Sequence, residues 1–160
     1  KDRYMDMFVT EDKDKIHILR LDQGDYVLES IFRMIKEKDI RQGIVLSGIG
    51  TLDRCVIHMM TTTGYLPKEH FASWEDQPLE LLSIQGIIAN GTPHLHMVIS
   101  DREKAYGGHL EEGCRILYLG EVAILELDDN HMMRVPNEKG IMMLLGELPS
   151  NTKLNTCFLQ

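Results

Sequence analysis

Gly91-Thr92-Pro93-His94-Leu95-His96-Met97-Val98-Ile99-Ser100 alternates residue by residue: Leu95, Met97 and Ile99 fall to one side, His94 and His96 to the other. Side chains on a strand point alternately to its two faces, so this stretch reads as a strand with one apolar face and one imidazole face. Asn90-Gly91 just before it is a strong hairpin-turn signal. Leu79 to Ala89, before that turn, is mostly apolar on both faces, as in a covered strand, and Pro93 to Ser100 is the next strand.

The rest of the chain reads outward from this hairpin. Ile16 to Leu21 is a strand, ended by the turn Asp22-Gln23-Gly24. A helix follows to about Lys38 with Asp25 as its N-cap, because Val27, Leu28, Ile31, Met34 and Ile35 recur at helical spacing as one stripe. Glu29 and Arg33, four apart on the outer face, would add a few tenths of a kcal/mol (about 0.2–0.5) as an ion pair. Gly43 to Leu52 is a glycine-interrupted strand, and glycine there marks a bulge or a close backbone approach. A second run goes from Arg54 to about Met60. The polar stretch after it, with Gly64, Pro67 and Pro78, reads as a hairpin and loop. Asp101 to Cys114 is polar and glycine-rich, and Arg115 to Leu127 is the longest strand candidate, ended by Asp128-Asp129-Asn130. Short runs at His131–Val135 and Ile141–Leu145 would complete a sheet. One early helix followed by many strands gives an α+β single domain, mostly antiparallel sheet with one main helix packed on a face. Residues 1–14 read as a mobile N-terminal segment, 15–148 as the domain and 149–160 as a C-terminal extension.

Composition narrows the function classes. The 160 residues carry 17 Lys+Arg against 25 Asp+Glu, a formal net charge of −8. Nucleic-acid binders draw affinity from basic stripes that displace counterions, and no run of Lys or Arg occurs here. No apolar stretch is long enough for a membrane span, and no leader-like pattern opens the chain. Cys55, Cys114 and Cys157 are odd in number and far apart, without C-x-x-C spacing. That argues against a disulfide framework or a cysteine zinc site and for a reducing, cytoplasmic setting.

The densest chemistry is His94 and His96, two apart on one strand face, with His109 thirteen residues on in Gly107-Gly108-His109-Leu110. Three imidazoles can hold a metal and leave a fourth position open. On spacing alone the plainer reading leads: His-x-His is common by chance, and imidazoles often merely hydrogen-bond at a sheet edge. Glu111 and Glu112 are the nearest carboxylates in sequence. His17, His58, His70 and His131 lie in no ligand-like spacing and read as surface or core residues. Cys55 and Cys114 read as buried structural thiols. Gly48-Ile49-Gly50 lacks the following helix that a phosphate-binding loop requires, and Ser47 lacks a nucleophile-elbow context. The methionine pairs at 59–60, 132–133 and 142–143 read as adaptable core filling, or as an oligomer interface. No catalytic residue is assigned.

Leu19-Arg20-Leu21-Asp22-Gln23-Gly24-Asp25, then Ser47-Gly48-Ile49-Gly50-Thr51-Leu52, then Pro93-His94-Leu95-His96, then Gly107-Gly108-His109-Leu110-Glu111-Glu112-Gly113 resembles the plant-and-prokaryote-conserved (PPC) domain, which is also found beside AT-hook motifs in plant nuclear proteins. The resemblance runs from about Lys15 to about Leu127. It implies a largely antiparallel sheet, a homotrimer in which sheets associate across subunits, and a metal unit of three histidines, here His94, His96 and His109. Zinc is the first choice of metal, since imidazole suits it. The Arg-Gly-Arg core of an AT-hook is absent, which with the acidic charge argues against direct DNA binding. Three functions follow as expectations: a homotrimeric interaction module that meets DNA through protein partners, a metal-dependent enzyme or small-molecule binder, and a direct DNA binder whose patch is built from Arg102, Lys104 and Arg115.

Overall fold

A computed structural model of the chain describes residues 7–11, 15–127 and 132–146. Nine strands and one helix occur among them: β1 Met7–Glu11, β2 Lys15–Asp22, α1 Val27–Lys38, β3 Gln42–Met60, β4 Glu69–Ala89, β5 Thr92–Ser100, β6 Ala105–Leu110, β7 Arg115–Glu126, β8 Met133–Pro136 and β9 Met142–Leu145. Seven strands form one sheet in the order β1-β2-β7-β3-β4-β5-β6, with every pairing antiparallel. The α+β architecture read from the sequence is the one observed. The C-terminal extension from residue 149, the turn at 128–130 and His131 lie outside the described residues. Of the N-terminal segment, residues 7–11 form β1 and the others lie outside.

The helix forms where its apolar stripe predicts. Val27, Ile31, Met34 and Ile35 are buried against a core that includes Leu19, Leu21, Val45, Leu52, Val122 and Ile124. Each such side chain stabilises the fold by about 1.5–3 kcal/mol relative to exposure. Two local expectations are corrected. Tyr26, not Asp25, occupies the N-cap, without a side-chain cap; the Asp25 carboxylate instead accepts the Asp22 backbone N–H at 2.8 Å, closing the preceding turn. Glu29 accepts the Gly113 N–H at 2.8 Å, so its carboxylate is turned toward the β6–β7 connection rather than committed to Arg33.

The two runs before and after Asp53 are one strand, β3, whose register with β4 and β7 shifts between Leu52 and Arg54. The same irregularity absorbs Pro78. Leu52 faces Leu79 while Arg54 faces Glu75, leaving residues 76–78 outside the ladder, with Asp76 at φ 53°. A proline cannot donate to a ladder but is tolerated at a bulge, so β4 runs through the stretch expected to be loop. β4, at 21 residues, exceeds the 12 of β7.

The expected loop from Asp101 to Cys114 contains β6, and β6 decides the shape of this end of the sheet. One edge of β3 pairs with β7 as far as Arg54 and then with β6 at Ile57 and His58. Because β6 also pairs with β5, strands β3, β4, β5 and β6 close into a ring. The buried Ile57, Leu81, Ile84, Leu95, Met97, Ile99 and Leu110 come from these four strands. Gly108 permits the closure: a Cβ there would meet the His58 carbonyl oxygen at 2.5 Å. The two short C-terminal runs do not join this sheet. β8 and β9 pair with each other as a separate hairpin, tied back by Gln42 Nε2 donating to the Met132 carbonyl at 3.0 Å and the Tyr65 hydroxyl donating to the Lys139 carbonyl at 2.6 Å.

Candidate metal centre

Alternation along β5 buries Leu95, Met97 and Ile99 and turns His94 and His96 outward. His96 faces His109 directly across β5–β6, and His109 in turn faces His58 across β6–β3. Directly opposed residues of antiparallel strands share a face and hold their Cβ atoms about 4.5–5.5 Å apart. Three adjacent strands therefore deliver His96, His109 and His58 in a row, and His94 joins them from two positions along β5.

The ring centroids of His94, His96 and His109 form a nearly even triangle, with separations of 5.3, 5.0 and 5.4 Å. One ligand nitrogen from each lies within 4.8 Å of the other two. Burial lowers the pKa of His94, helped by the nearby Arg134 guanidinium and the other histidines. Burial also lowers that of His109, assisted by His58 and opposed by Glu111. Both effects favour the neutral imidazole, the form that offers a lone pair to a cation. The donor set fits a divalent metal: one ring nitrogen from each of three imidazoles converges on a common point that a shared cation could occupy.

His58, read from its sequence position as a surface or core residue, belongs to this cluster. Its ring stacks on His109 at 4.6 Å, with 26° between the planes. Its Nδ1 donates to Glu111 Oε1 at 2.5 Å, and its Nε2 lies 3.8 Å from Glu69 Oε1. His58, His109 and Glu111 form a second ligand-type group that shares His109 with the first. Of the two carboxylates next to His109 in sequence, Glu111 reaches the cluster while Glu112 is exposed. The remaining described histidines lie elsewhere: His17 is buried with Nε2 2.7 Å from Glu126, and His70 is exposed.

Beside the imidazoles is an open cavity of about 420 Å³, floored by Gly107 and Gly108 and walled by His58, His94, His96 and Met60. A neighbouring cavity of about 380 Å³ continues from His94 and His109 toward Arg134, Ile141 and Met142 of the β8–β9 hairpin. No sequence signal pointed to Arg134, since nothing local places a residue of β8 beside β5. Arg115, one member of the basic patch considered for DNA, is held by Asp53 through two bonds of 2.8 and 3.1 Å. Cys55 and Cys114 are both buried, with their sulfurs 3.9 Å apart.

Comparison with known proteins places these features in context. The profile of the Plants and Prokaryotes Conserved (PCC) domain matches residues 9–128. Two Synechococcus proteins named bifunctional protein GlmU are 29% and 26% identical over 124 and 125 residues, covering 77% of this chain. The chain spans only 18% and 19% of their lengths, under a fifth of each relative. Among solved structures, a plant- and prokaryote-conserved protein of Pyrococcus horikoshii superposes with a TM-score of 0.68 at 22% identity, covering 89% of this chain and 96% of that one. A metal-containing protein of Archaeoglobus fulgidus does so with 0.69 at 24%, covering 90% and 99%. A Bacteroides thetaiotaomicron protein named provisionally for DNA binding gives 0.71 at 17%, covering 86% and 96%. At these identities the likeness is one of fold.

Proposed function

The chain belongs to the Plants and Prokaryotes Conserved (PCC) domain family, and on that premise we propose that it is a homotrimeric interaction module whose His94, His96 and His109 hold a divalent metal. The observation that carries the metal is the convergence of these three imidazoles within 4.8 Å from two strands in register. Zinc is the proposed ion, because it accepts imidazole and carboxylate ligands without a strict geometric demand. When bound, such an ion supplies Lewis acidity beside the cavity. His94, His96 and His109 would hold it, and the His58–Glu111 pair stands alongside with a proton on the His58 Nδ1.

Self-association is supported by apolar side chains left exposed on β3, β4 and β7: Leu46, Ile49, Leu82, Tyr118 and Leu119 are each 47–68% exposed. Exposed apolar surface of this kind marks interaction sites. Contact with DNA is proposed through protein partners rather than by the chain itself, given the charge of −8 and the engagement of Arg115 by Asp53. The cytoplasm is the proposed compartment, in keeping with cysteines that lack disulfide spacing. Among the described residues no helix is long and apolar enough to cross a membrane.

A second reading, a metal-dependent enzyme or small-molecule binder, is favoured by one feature: His58, hydrogen-bonded to Glu111, lines the same cavity as the three histidines. Calorimetric titration of metal-free protein with zinc chloride tests the centre. One site per chain is expected, weakened at least about 100-fold in His94→Ala or His96→Ala, since even partners one step removed from a metal are worth about 10–100-fold. Absence of zinc binding, or equal binding by these variants, would defeat the metal assignment. Light scattering should return three times the chain mass, and a monomer would defeat the trimer.

A further inference from the structure

The β8–β9 hairpin lies beyond residue 128, where the family match ends, yet it supplies a wall of the histidine site. Arg134 is its polar element. Among the described residues its guanidinium makes one hydrogen bond, from Nη2 to the Ile87 carbonyl at a long 3.4 Å, and no ion pair. Its Nε is buried without a partner. Arg134 as a whole is half-buried; arginine stays charged in proteins, and withdrawing part of a charge from water is costly unless it is paired or hydrogen-bonded. Partial burial pushes its pKa below the ordinary value. The guanidinium borders the 380 Å³ cavity that continues to His94 and His109, and the other walls there are largely apolar: Met60, Pro93, Ile141 and Met142.

We propose that this cavity binds a small organic carboxylate, with Arg134 as the anchor of the anion and Ile141 and Met142 enclosing its apolar tail. A planar carboxylate matches the fork of a guanidinium, and the terminal nitrogens here make only the one long bond to Ile87. Apolar walls favour a carboxylate carrying a hydrocarbon chain over inorganic phosphate, although both share the oxyanion chemistry. Glu69, which also borders the cavity, is turned toward His58 Nε2, so the hairpin side holds the positive end. The inference rests on the metal reading only for the end of the ligand nearest the histidines; the Arg134 anchor stands without it.

Hexanoate, acetate and inorganic phosphate, titrated by calorimetry into zinc-loaded and metal-free protein, test this. Hexanoate should bind more tightly than acetate or phosphate, and Arg134→Gln should weaken it about tenfold or more, the range of a charge-assisted hydrogen bond. Arg134→Gln should bind zinc at least as tightly as wild type, because a positive charge beside His94 is removed, which shows that the histidines remain in place. Met142→Ser should weaken hexanoate while leaving acetate unaffected, which keeps the test open if Arg134→Gln disturbs the hairpin. Equal hexanoate binding by wild type and Arg134→Gln, no hexanoate binding at all, or tighter binding of phosphate would each overturn the proposal. Failure of zinc binding with Arg134-dependent hexanoate binding intact would overturn the metal centre alone and support the anchor.

Discussion

Replacing Gly108 with alanine tests the closure that brings His109 to its neighbours. The added Cβ would stand 2.5 Å from the His58 carbonyl oxygen and 3.4 Å from the Ile57 Cβ. Both are parts of β3 that cannot swing away as a flexible side-chain end could. Relief requires β6 to move off β3 by nearly an ångström, at a cost of about 1–3 kcal/mol by comparison with overpacked cores. For a domain of this size each kcal/mol lowers the melting temperature by about 2–4 °C, so a drop of about 2–12 °C is expected. The displacement also carries His109 away from His96, so zinc affinity should fall with stability. Gly107→Ala is the control: its Cβ would meet the Met97 carbonyl oxygen at 3.5 Å, ordinary contact, and both measurements should stay near wild type. Differential scanning calorimetry and zinc titration of the two variants read the outcome. The reasoning fails if Gly108→Ala melts and binds zinc like wild type, or if Gly107→Ala suffers equally.

Stability of the metal-free protein should depend on pH through His94 and His109, whose pKa values are lowered by burial first and by neighbouring cationic groups next. Below about pH 6.5, the ordinary histidine value, the unfolded chain binds more protons than the folded one, so stability declines as pH falls and levels off below the folded-state values. Thermal melts between about pH 7.5 and 5 should show this, with a shallower decline in His94→Ala; a melting temperature rising on acidification would contradict it. Ile31→Ala removes a side chain with no exposed surface from the face of α1 that meets the sheet. A loss of about 2–5 kcal/mol is expected in urea unfolding, and a loss under half a kcal/mol would mean the helix does not pack as described. Leu119→Glu places a charge on a residue 52% exposed on β7; light scattering should show the proposed trimer dissociating with the circular dichroism unchanged, and a persistent trimer would exclude this surface from the interface.

Patterns that repeat every two or four residues were legible without coordinates. Alternation in 92–100 placed β5 and put His94 and His96 on its outer face, and the stripe from Val27 to Ile35 placed α1, because each element's local period is set by its own backbone. The family match over residues 9–128 agrees with the resemblance read from four ordered motifs. β6 was not legible: two glycines in six residues leave too few side chains to write a period, and the strand exists because those glycines let its backbone lie against β3. Once β6 is paired on both edges, His58 enters the site from a strand about fifty residues earlier in the chain.

Sequence alone therefore determined α1 and β5, the face on which His94 and His96 stand, and the acidic net charge. Tertiary structure decided the company they keep: His109 opposite His96, His58 bridged to Glu111, and Arg134 brought over by the β8–β9 hairpin. The physical reason is range. Side-chain periodicity is imposed within a few residues, whereas the register between distant strands is set by which backbones can approach and hydrogen-bond, and no local pattern records that choice.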